Sequence, residues 1–217
     1  MILLPSRGRP QLLQRFFQVG KPSLKGIVIL DEDDFHHYKK VTIPDFWDVI
    51  VLPRNCISYK CNKVFEMFPN EEFYGITNDD VVPETEEWDL KLLYHAGKEN
   101  FAYGDDGINH RWSTSVMGGD LVRQLGWVLC PAVRHFYTDD AWEILKEIGL
   151  GIFLPDIKVT HYHFSNGKAP VDKTYMERGI PEEDRVRYED WKRDEWPSLK
   201  QKLLSWKYKC QSQAIAS

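Results

Sequence analysis

The first hundred residues of this chain alternate short apolar runs with helical patterns, and this alternation constrains the fold more than any other feature. Helical patterns occur at 11–19, 58–68 and 86–96. The apolar runs have the length and composition of buried strands, and they are Met1 to Leu4, Lys25 to Leu30, Trp47 to Leu52 and Phe73 to Thr77. Strands that alternate with helices favour a mainly parallel sheet covered on both faces, an α/β architecture.

The second half of the chain has a less regular pattern. Strands are predicted at 101–103, 112–117 and 157–164, and helices at 120–126 and 138–148. A charged helical tail is predicted from Glu182 to about Lys209, with a bend at Pro197. We therefore expect one domain over 1–180 and a C-terminal helical appendage over 181–217.

Composition excludes several classes of protein. The 217 residues are 42% hydrophobic and 28% charged, which is typical of a folded domain and not of a disordered chain. No apolar stretch reaches the roughly 18 residues that a membrane span needs, so no membrane association is expected. The four cysteines lack zinc-ribbon spacing and are expected to be reduced thiols in a cytoplasmic protein. The net charge of −5 argues against a generally cationic surface for nucleic acid.

Polar clusters follow three of the first four predicted strands. Ligands of open α/β sheets bind outside the carboxyl ends of the strands. The first cluster, Pro5-Ser6-Arg7-Gly8-Arg9, suits a nucleotide phosphate or base. The second, which begins at Asp31, suits ribose hydroxyls or the N–H groups of a base. The third, Asn78-Asp79-Asp80, suits a divalent cation, although adjacent acids at a strand end are also explained by a turn in solvent.

Six segments in this order resemble the GT-A glycosyltransferases, above all the inverting family two and its small soluble, phage-encoded members. The segments are ILLPSRGRP, IVILDEDD, YKCNKVFE, FYGITNDDV, FYTDDAW and VTHYHF, within residues 1 to 170. The resemblance implies a GT-A fold, a Rossmann-like sandwich that binds a nucleotide-sugar donor. It also implies Mn²⁺ or Mg²⁺ bound by Asp80, with Asn78 or Asp79 facing the ribose. Asn78 departs from the Asp-x-Asp motif of the family.

Two histidines near the end of the resemblance add candidate ligands. His161 and His163 alternate along a predicted strand, so both face the same side. The resemblance implies that a late histidine completes the metal site, and imidazole favours Mn²⁺ over Mg²⁺. Exposed strand histidines are the alternative. Lys168 follows them and is a candidate phosphate ligand or a generic loop lysine.

The segment FYTDDAW contains the candidate catalytic base. Inverting transfer needs a carboxylate that deprotonates the acceptor hydroxyl as it attacks the anomeric carbon. The resemblance assigns this role to Asp140, with Asp139 in support. The alternative is a helix start whose dipole favours acids in the first turn.

Three further residues have weaker signals. Lys60 and Asn62 lie on the helix before the fourth strand, where the resemblance implies that polar residues face the nucleotide. Gly119 opens a helix after a strand, and the resemblance implies a glycine loop beneath the donor sugar. A solvated helix face and a structural turn are the respective alternatives.

The predicted function is inverting, metal-dependent transfer of a sugar from a nucleotide sugar, with a UDP-sugar as the expected donor. A hydroxylated base in phage DNA is a candidate acceptor, in which case the protein acts in the host cytoplasm. The tail carries four lysines, at 200, 202, 207 and 209, and an apolar stripe of Leu199, Leu203 and Trp206. The stripe predicts docking on the domain, and the lysines are candidates for contact with a nucleic acid. The alternatives are a nucleotidyltransferase and a non-catalytic nucleotide-binding module.

Overall fold

The computed structural model describes residues 1–107, 113–177 and 179–216. The predicted strand at 112–117 thus begins at a residue outside these ranges. The central feature of the structure is a sheet. Its strands are β1 (Ile2–Pro5), β2 (Gly26–Asp31), β3 (Trp47–Leu52), β4 (Phe73–Thr77), β5 (Val81–Pro83), β6 (Phe101–Asp105), β7 (Thr114–Gly118) and β8 (Gly151–His161). They are arranged in the order β3-β2-β1-β4-β7-β6-β8-β5.

Helices connect the strands and form the tail. They are α1 (Pro10–Arg15), α2 (Ile57–Met67), α3 (Trp88–Ala96), α4 (Gly119–Leu125), α5 (Thr138–Lys146), α6 (Lys173–Glu177), α7 (Pro181–Asp194) and α8 (Trp196–Ala216). A π-helical turn, Phe16–Gly20, continues α1. Pro10 begins α1, where the absence of a proline N–H costs nothing.

Strand direction brings the carboxyl ends of most strands to one edge. β1 is parallel to β2 and to β4, and β2 is parallel to β3. β7 is antiparallel to both β4 and β6, while β8 is parallel to β6. Consequently β1, β2, β3, β4, β6 and β8 all point the same way, and the predicted mainly parallel sheet is confirmed.

The sheet is covered on both faces, as predicted. Alternate residues of β1 point to opposite sides, as the pleat requires. Leu3 belongs to a cluster that includes α2, α4, α5 and the tail, whereas Ile2 and Leu4 belong to a second cluster with α1 and α3. Both clusters are composed of fully buried side chains, so burial of apolar area on each face stabilises the sandwich.

The sequence prediction fails at β5 and at the start of β8. β5 has three residues, too few for a periodic pattern, and pairs antiparallel with the end of β8. The strand predicted to begin at Ile157 begins at Gly151 instead. Its pairing with β6 shifts in register between Gly104 and Asp105, so that the two ladders on either side of the shift belong to one strand. This irregularity accommodates Pro155 within the strand, where proline is tolerated at a bulge.

The tail packs on the domain through its predicted apolar stripe. Leu203 is fully buried, and Leu199 and Trp206 are partly buried against the same cluster. The helix breaks at Glu195, so Pro197 lies in the first turn of α8 and explains the predicted bend.

Two of the four tail lysines bind the ends of other helices. Lys202 donates to the carbonyl oxygen of Gln124 near the end of α4. Lys207 donates to the carbonyl oxygens of Ile148 and Gly149, just beyond α5, at 3.1 and 2.9 Å. A cation at a helix C-terminus is favourable because it satisfies terminal carbonyl groups. These contacts give the two lysines a structural role.

Across the described part of the chain, no helix is both long enough and apolar enough to cross a membrane. The four cysteines are free thiols.

Candidate functional site

A cleft of about 600 Å³ opens at the sheet edge where the carboxyl ends of the strands meet. Its walls come from the loop after β1, the turn after β4, the end of β8, the starts of α2 and α5, and α6. Ten of the residues predicted from sequence line it: Pro5, Ser6, Arg7, Arg9, Lys60, Asn78, Asp79, Asp80, His161 and His163. The clusters that follow separate strands therefore meet in one place.

Arg9 lies against the acid pair that follows β4. Its Nη1 is 3.3 Å from Asp79 Oδ1 and 3.1 Å from Asp80 Oδ2, and all three side chains are buried. Ser6 Oγ donates to Asp79 Oδ2 at 2.6 Å. One guanidinium thus offsets part of the repulsion between two adjacent buried carboxylates, which explains how the chain tolerates them.

The two carboxylates of the pair differ in protonation behaviour. Burial and the neighbouring charge of Asp80 raise the pKa of Asp79 above its usual range. Burial would raise the pKa of Asp80 as well, but His161 and Arg9 outweigh it and hold that pKa below its usual value. Asp80 is therefore the anionic member of the pair and the better ligand for a cation.

His161 lies between two carboxylates. Its Nε2 is 3.5 Å from Asp80 Oδ1, and its Nδ1 is 3.6 Å from Asp106 Oδ2. Burial would lower the pKa of His161, but Asp106 and Asp80 together raise it. The His163 ring lies 5.1 Å from that of His161 and packs on Tyr175. Both histidines line the cleft, but β8 ends at His161, so His163 lies beyond the strand and not within it as predicted. His161 is the one beside Asp80.

Asp106 was not predicted from the sequence. It follows β6, is buried, and its carboxylate faces His161. The signal was present, because Gly104-Asp105-Asp106-Gly107 is an acid pair at a strand end, like the one after β4. Its relevance depends on knowing that β6 runs parallel to β4, which a single sequence does not reveal.

Arg7 and Lys60 are held in place by Asp31, which is fully buried at the end of β2. Lys60 Nζ lies 3.0 and 3.2 Å from the two oxygens of Asp31, and Arg7 Nη1 lies 3.2 Å from Oδ2. Arg7 and Lys60 line the cleft, whereas Asp31 lies behind them. The groups presented to a ligand here are therefore hydrogen-bond donors, not the acceptor expected from Asp31.

A short segment, 172–177, crosses the cleft, and we call it the strap. It contains α6 and the preceding Asp172. Asp172 accepts two hydrogen bonds from Arg9, at 2.6 and 3.0 Å. Tyr175 donates its hydroxyl to Asp80 Oδ2 at 2.7 Å, and Glu177 accepts from Arg7 Nε at 3.1 Å. The strap thus contacts three of the residues predicted to bind donor or metal.

Asp139 and Asp140 lie in the first turn of α5, as predicted. Thr138, directly before them, lines the cleft. The backbone carbonyl oxygen of Asp140 accepts a hydrogen bond from Tyr188 Oη of α7 at 3.3 Å. The acid pair therefore sits next to the cleft wall, at a helix start that the tail supports.

Three predicted residues lie elsewhere. Asn62 accepts from the N–H groups of Val128 and Leu129 at 2.8 and 3.0 Å, so its side chain clamps a loop and does not face the cleft. Lys168 is exposed, outside the cleft lining. Gly119 lies at the opposite edge of the sheet, since Gly118 pairs with Phe73 at the start of β4. A Cβ on Gly119 would lie 2.1 Å from Glu71 O, which gives this glycine a packing role. These three residues therefore lie outside the cleft lining.

The acids and histidine were tested as a site for a divalent metal. Within 1–107, 113–177 and 179–216, no group of three or more His, Cys, Asp or Glu side chains is arranged to hold a metal ion. Asp80 and His161 form a two-ligand set, an oxygen and an imidazole nitrogen of the kinds that Mn²⁺ accepts. The carboxylate of Asp106 behind the imidazole is the usual partner of a metal-binding histidine. The chemistry of the donors fits a metal that also takes ligand oxygens from a diphosphate.

Comparison with known proteins gives structural neighbours only. No family model matches the sequence, and no curated protein matches it. A mannosyltransferase from Pyrobaculum calidifontis, solved with GDP-mannose and Mn²⁺, matches with a TM-score of 0.59 and 13% identity over 94% of this chain and 72% of that one. A cytidylyltransferase from Leptospira borgpetersenii matches with a TM-score of 0.52 and 14% identity over 91% and 94% of the two chains.

A third neighbour is 4-diphosphocytidyl-2C-methyl-D-erythritol synthase from Anaerococcus prevotii. Its TM-score is 0.51, with 8% identity over 81% of this chain and 92% of that one. At such identities the likeness concerns the fold alone. The chain therefore has the nucleotide-diphospho-sugar transferase fold, which GT-A glycosyltransferases share with nucleotidyltransferases.

Proposed function

We propose that this protein is an inverting glycosyltransferase that moves a sugar from a nucleoside-diphosphate sugar to an acceptor hydroxyl. One observation carries the proposal: Arg7, Arg9, Asp80 and His161 converge in one cleft at the carboxyl ends of the strands. Donors for phosphate oxygens, a buried carboxylate and an imidazole are the groups that binding and departure of a nucleoside diphosphate require.

The donor is proposed to lie along the wall formed by β1, β2 and β4. Arg7 and Arg9 would donate to the diphosphate, because a guanidinium matches phosphate oxygens with two parallel hydrogen bonds. Lys60 would donate to the nucleoside, and Pro5 and Asn78 would contact its ring or ribose. A UDP-sugar is the first donor to test. GDP-mannose is the second, because the mannosyltransferase that shares the fold was solved with it.

Asp80 and His161 would hold Mn²⁺ or Mg²⁺, with Asp106 orienting the imidazole. When bound, the ion would supply charge that neutralises the departing diphosphate. In the same step Arg7 and Arg9 would stabilise negative charge on the phosphate oxygens. Such preorganised groups typically lower the activation barrier by about 3–4 kcal/mol each.

Asp140 is proposed as the general base, with Asp139 in support. The acceptor oxygen attacks the anomeric carbon from the side opposite the diphosphate. Its proton passes to the carboxylate, the new glycosidic bond forms, and the bond from the anomeric carbon to the phosphate oxygen breaks. Attack from the opposite side inverts the configuration. A base of this kind contributes about 10²–10⁴-fold in rate.

Nucleotidyl transfer is the alternative on the same fold. There the attack occurs at the α-phosphate of a nucleoside triphosphate, and pyrophosphate leaves. Such enzymes usually have a glycine-rich basic loop after the first strand, and the corresponding segment here, PSRGRP, has one glycine. A third possibility, a binding module without activity, rests on Asn78 in place of the usual acid.

The acceptor proposal, a hydroxylated base in DNA, rests on the resemblance to phage proteins. The proposed location in the host cytoplasm rests on the same resemblance. Lys202 and Lys207 bind backbone carbonyls, which leaves Lys200 and Lys209 as the remaining basic groups of the predicted patch. We therefore do not assign the tail to acceptor binding.

A thermal-shift screen tests the proposal. The full chain is heated with nucleoside diphosphates and nucleotide sugars, each with and without Mn²⁺, and the best donor is then used to profile acceptors. We expect stabilisation by one nucleoside diphosphate that increases with Mn²⁺. Stabilisation by nucleoside triphosphates alone would favour nucleotidyl transfer instead.

A further inference from the structure

The two cleft arginines are held by acids on two sides. Behind them lie Asp31 and the Asp79–Asp80 pair, with side chains 0% to 6% exposed. In front of them lie the two acids of the strap, Asp172 at 35% exposure and Glu177 at 23%. The buried acids would keep the arginines in place without the strap, so the strap acids are not needed to position them.

The strap acids bind where phosphate oxygens would bind. Asp172 accepts hydrogen bonds from Nε and Nη2 of Arg9. This edge of the guanidinium donates two parallel hydrogen bonds and binds a carboxylate or a phosphate in the same way. Glu177 takes Nε of Arg7, and Arg54 Nη2 lies 3.2 Å from the same carboxylate. Two strap carboxylates thus face three guanidinium groups, as the two charged phosphates of a nucleotide sugar would. Exposed Asp33 also accepts from Nη1 and Nη2 of Arg7, at 2.6 and 3.0 Å, so a phosphate at Arg7 would replace Glu177 at Nε or compete with Asp33 as well.

The strap also covers the proposed metal ligand. Tyr175 donates to Asp80 Oδ2, and its ring lies against Arg9, whose Cζ is 4.2 Å from the ring centroid. A donor that reaches Arg9 and Asp80 must therefore displace both Asp172 and Tyr175.

The backbone around the strap permits such displacement. Gly167 and Gly179 have φ angles of +72° and +99°, a conformation that other residues rarely adopt, and a Cβ on either would meet open space. Between them Thr174 anchors the strap, donating to the carbonyl oxygen of Arg7 at 2.8 Å. The contacts of the strap are mostly polar and partly exposed, which is typical of segments that open locally.

We propose that the strap is an internal mimic of the donor's diphosphate: Asp172 and Glu177 occupy Arg9 and Arg7 until a nucleoside diphosphate displaces them. The inference rests on the proposed function, because it assigns the ligand of those arginines. The closed strap competes with the donor. The apparent affinity for the donor is therefore the affinity of the open state multiplied by the fraction of molecules whose strap is open.

The test compares two double variants that change net charge equally. Asp172→Asn with Glu177→Gln removes both carboxylates from the strap. Glu182→Gln with Asp190→Asn is the matched control, on exposed positions of α7 paired only with neighbouring arginines among the described contacts. Calorimetry measures the Kd of UDP, GDP and pyrophosphate, and hydrogen exchange measures protection of residues 170–177 without ligand.

We expect the strap variant to bind its nucleoside diphosphate about tenfold more tightly than the parent, as for a competitor closed about 90% of the time. Protection of the strap should fall in that variant, and the control should match the parent in both measurements. Equal or weaker binding by the strap variant would overturn the inference and leave the proposed function standing. Failure of all three ligands to bind any of the proteins would overturn the proposed function, and the inference with it.

Discussion

Asp80 accepts contacts from three directions, which makes it the residue whose loss would be felt most widely in the cleft. Arg9 and Tyr175 reach one of its oxygens, and His161 faces the other. Its neighbour Asp79 is bonded to Ser6 and Arg9 instead. Adjacent residues of one turn therefore have different environments and different expected roles.

Asp80→Asn is expected to abolish Mn²⁺-dependent binding of nucleoside diphosphate. The amide keeps the size of the side chain but removes the charge that a divalent cation needs. Calorimetry with and without Mn²⁺ measures the effect, and Asp120→Asn is the control, because the Asp120 side chain is 43% exposed. An Asp80→Asn protein that keeps a Mn²⁺ response equal to that of the parent would remove this residue from the metal site.

Asp140→Asn is expected to leave donor binding intact and to reduce turnover by about 10²–10⁴-fold, the usual contribution of a general base. Turnover is measured as release of nucleoside diphosphate in the presence of acceptor. Asp139→Asn is the comparison. A larger loss at Asp139 would assign the base to that residue instead.

At this scale the sequence predicted the strand-end residues well and the interior helix residues poorly. Ser6, Arg7, Arg9 and Asp80 follow strands, and strand ends are bound to meet at one edge. Asn62 faces a neighbouring loop because it lies two residues, about 200° around the helix axis, from Lys60, which faces the cleft.

The loop before α5 depends on the first turn of α7. Asp184 accepts hydrogen bonds from the N–H groups of Arg134, His135 and Phe136, at 3.1, 2.8 and 2.9 Å. Arg134 and His135 line the cleft. One buried carboxylate of the tail thus fixes the backbone of the cleft wall next to the acid pair of α5.

Asp184→Ala is expected to lower the free energy of unfolding by roughly 2–4 kcal/mol, because three backbone N–H groups lose their acceptor. Asp190→Ala, on the exposed side of the same helix, should change it little. Chemical denaturation measures both. A loss no larger at Asp184 than at Asp190 would show that the loop finds other partners.

The same contact gives a pH dependence with a defined sign. Burial would raise the pKa of Asp184, but the three N–H groups outweigh it and lower that pKa. A carboxyl whose pKa is lower in the folded state stabilises the fold above the unfolded pKa, about 3.9. The difference in stability between the parent and Asp184→Ala should therefore be constant above about pH 5 and shrink as the pH falls below 4. A difference that grows on acidification would contradict the assignment.

Elements were predictable where the pattern was long and uniform. β2 is a continuous apolar run and α2 has a complete helical pattern, and the predicted bounds of both lie within two residues of the observed ones. β8 begins six residues before its predicted start at Ile157, and the register shift against β6 lets the strand continue through Pro155. β5 could not be predicted, since three residues carry no period.

At the scale of the whole molecule, the tail shares the core of the domain. Tyr188, Trp191, Trp196 and Leu203 belong to the same buried cluster as Leu3 of β1. The sequence predicted the apolar stripe correctly, but could not indicate which surface it would cover. A division of the chain at residue 180 stays a prediction, and the two parts it separates share one core.

Leu203→Ala is expected to destabilise the whole protein by about 3 kcal/mol, the usual cost of a cavity at a fully buried leucine. Leu204→Ala is the matched control, since Leu204 is 43% exposed. Thermal or chemical unfolding should remain one transition that shifts as a unit. A separate early transition of the tail in Leu203→Ala, with the rest unchanged, would show that the tail unfolds independently.

In the proposed reaction, the bond between the anomeric carbon of the sugar and the oxygen of the diphosphate breaks. Phosphorus NMR of the full chain with a UDP- or GDP-sugar and Mn²⁺ follows that bond directly, even as slow hydrolysis without the acceptor. We predict that the donor resonances are replaced by those of the free nucleoside diphosphate, and that Asp80→Asn prevents the change. Formation of nucleoside monophosphate, or of pyrophosphate from a nucleoside triphosphate supplied with a sugar phosphate, would contradict the account and assign the cleft to nucleotidyl transfer.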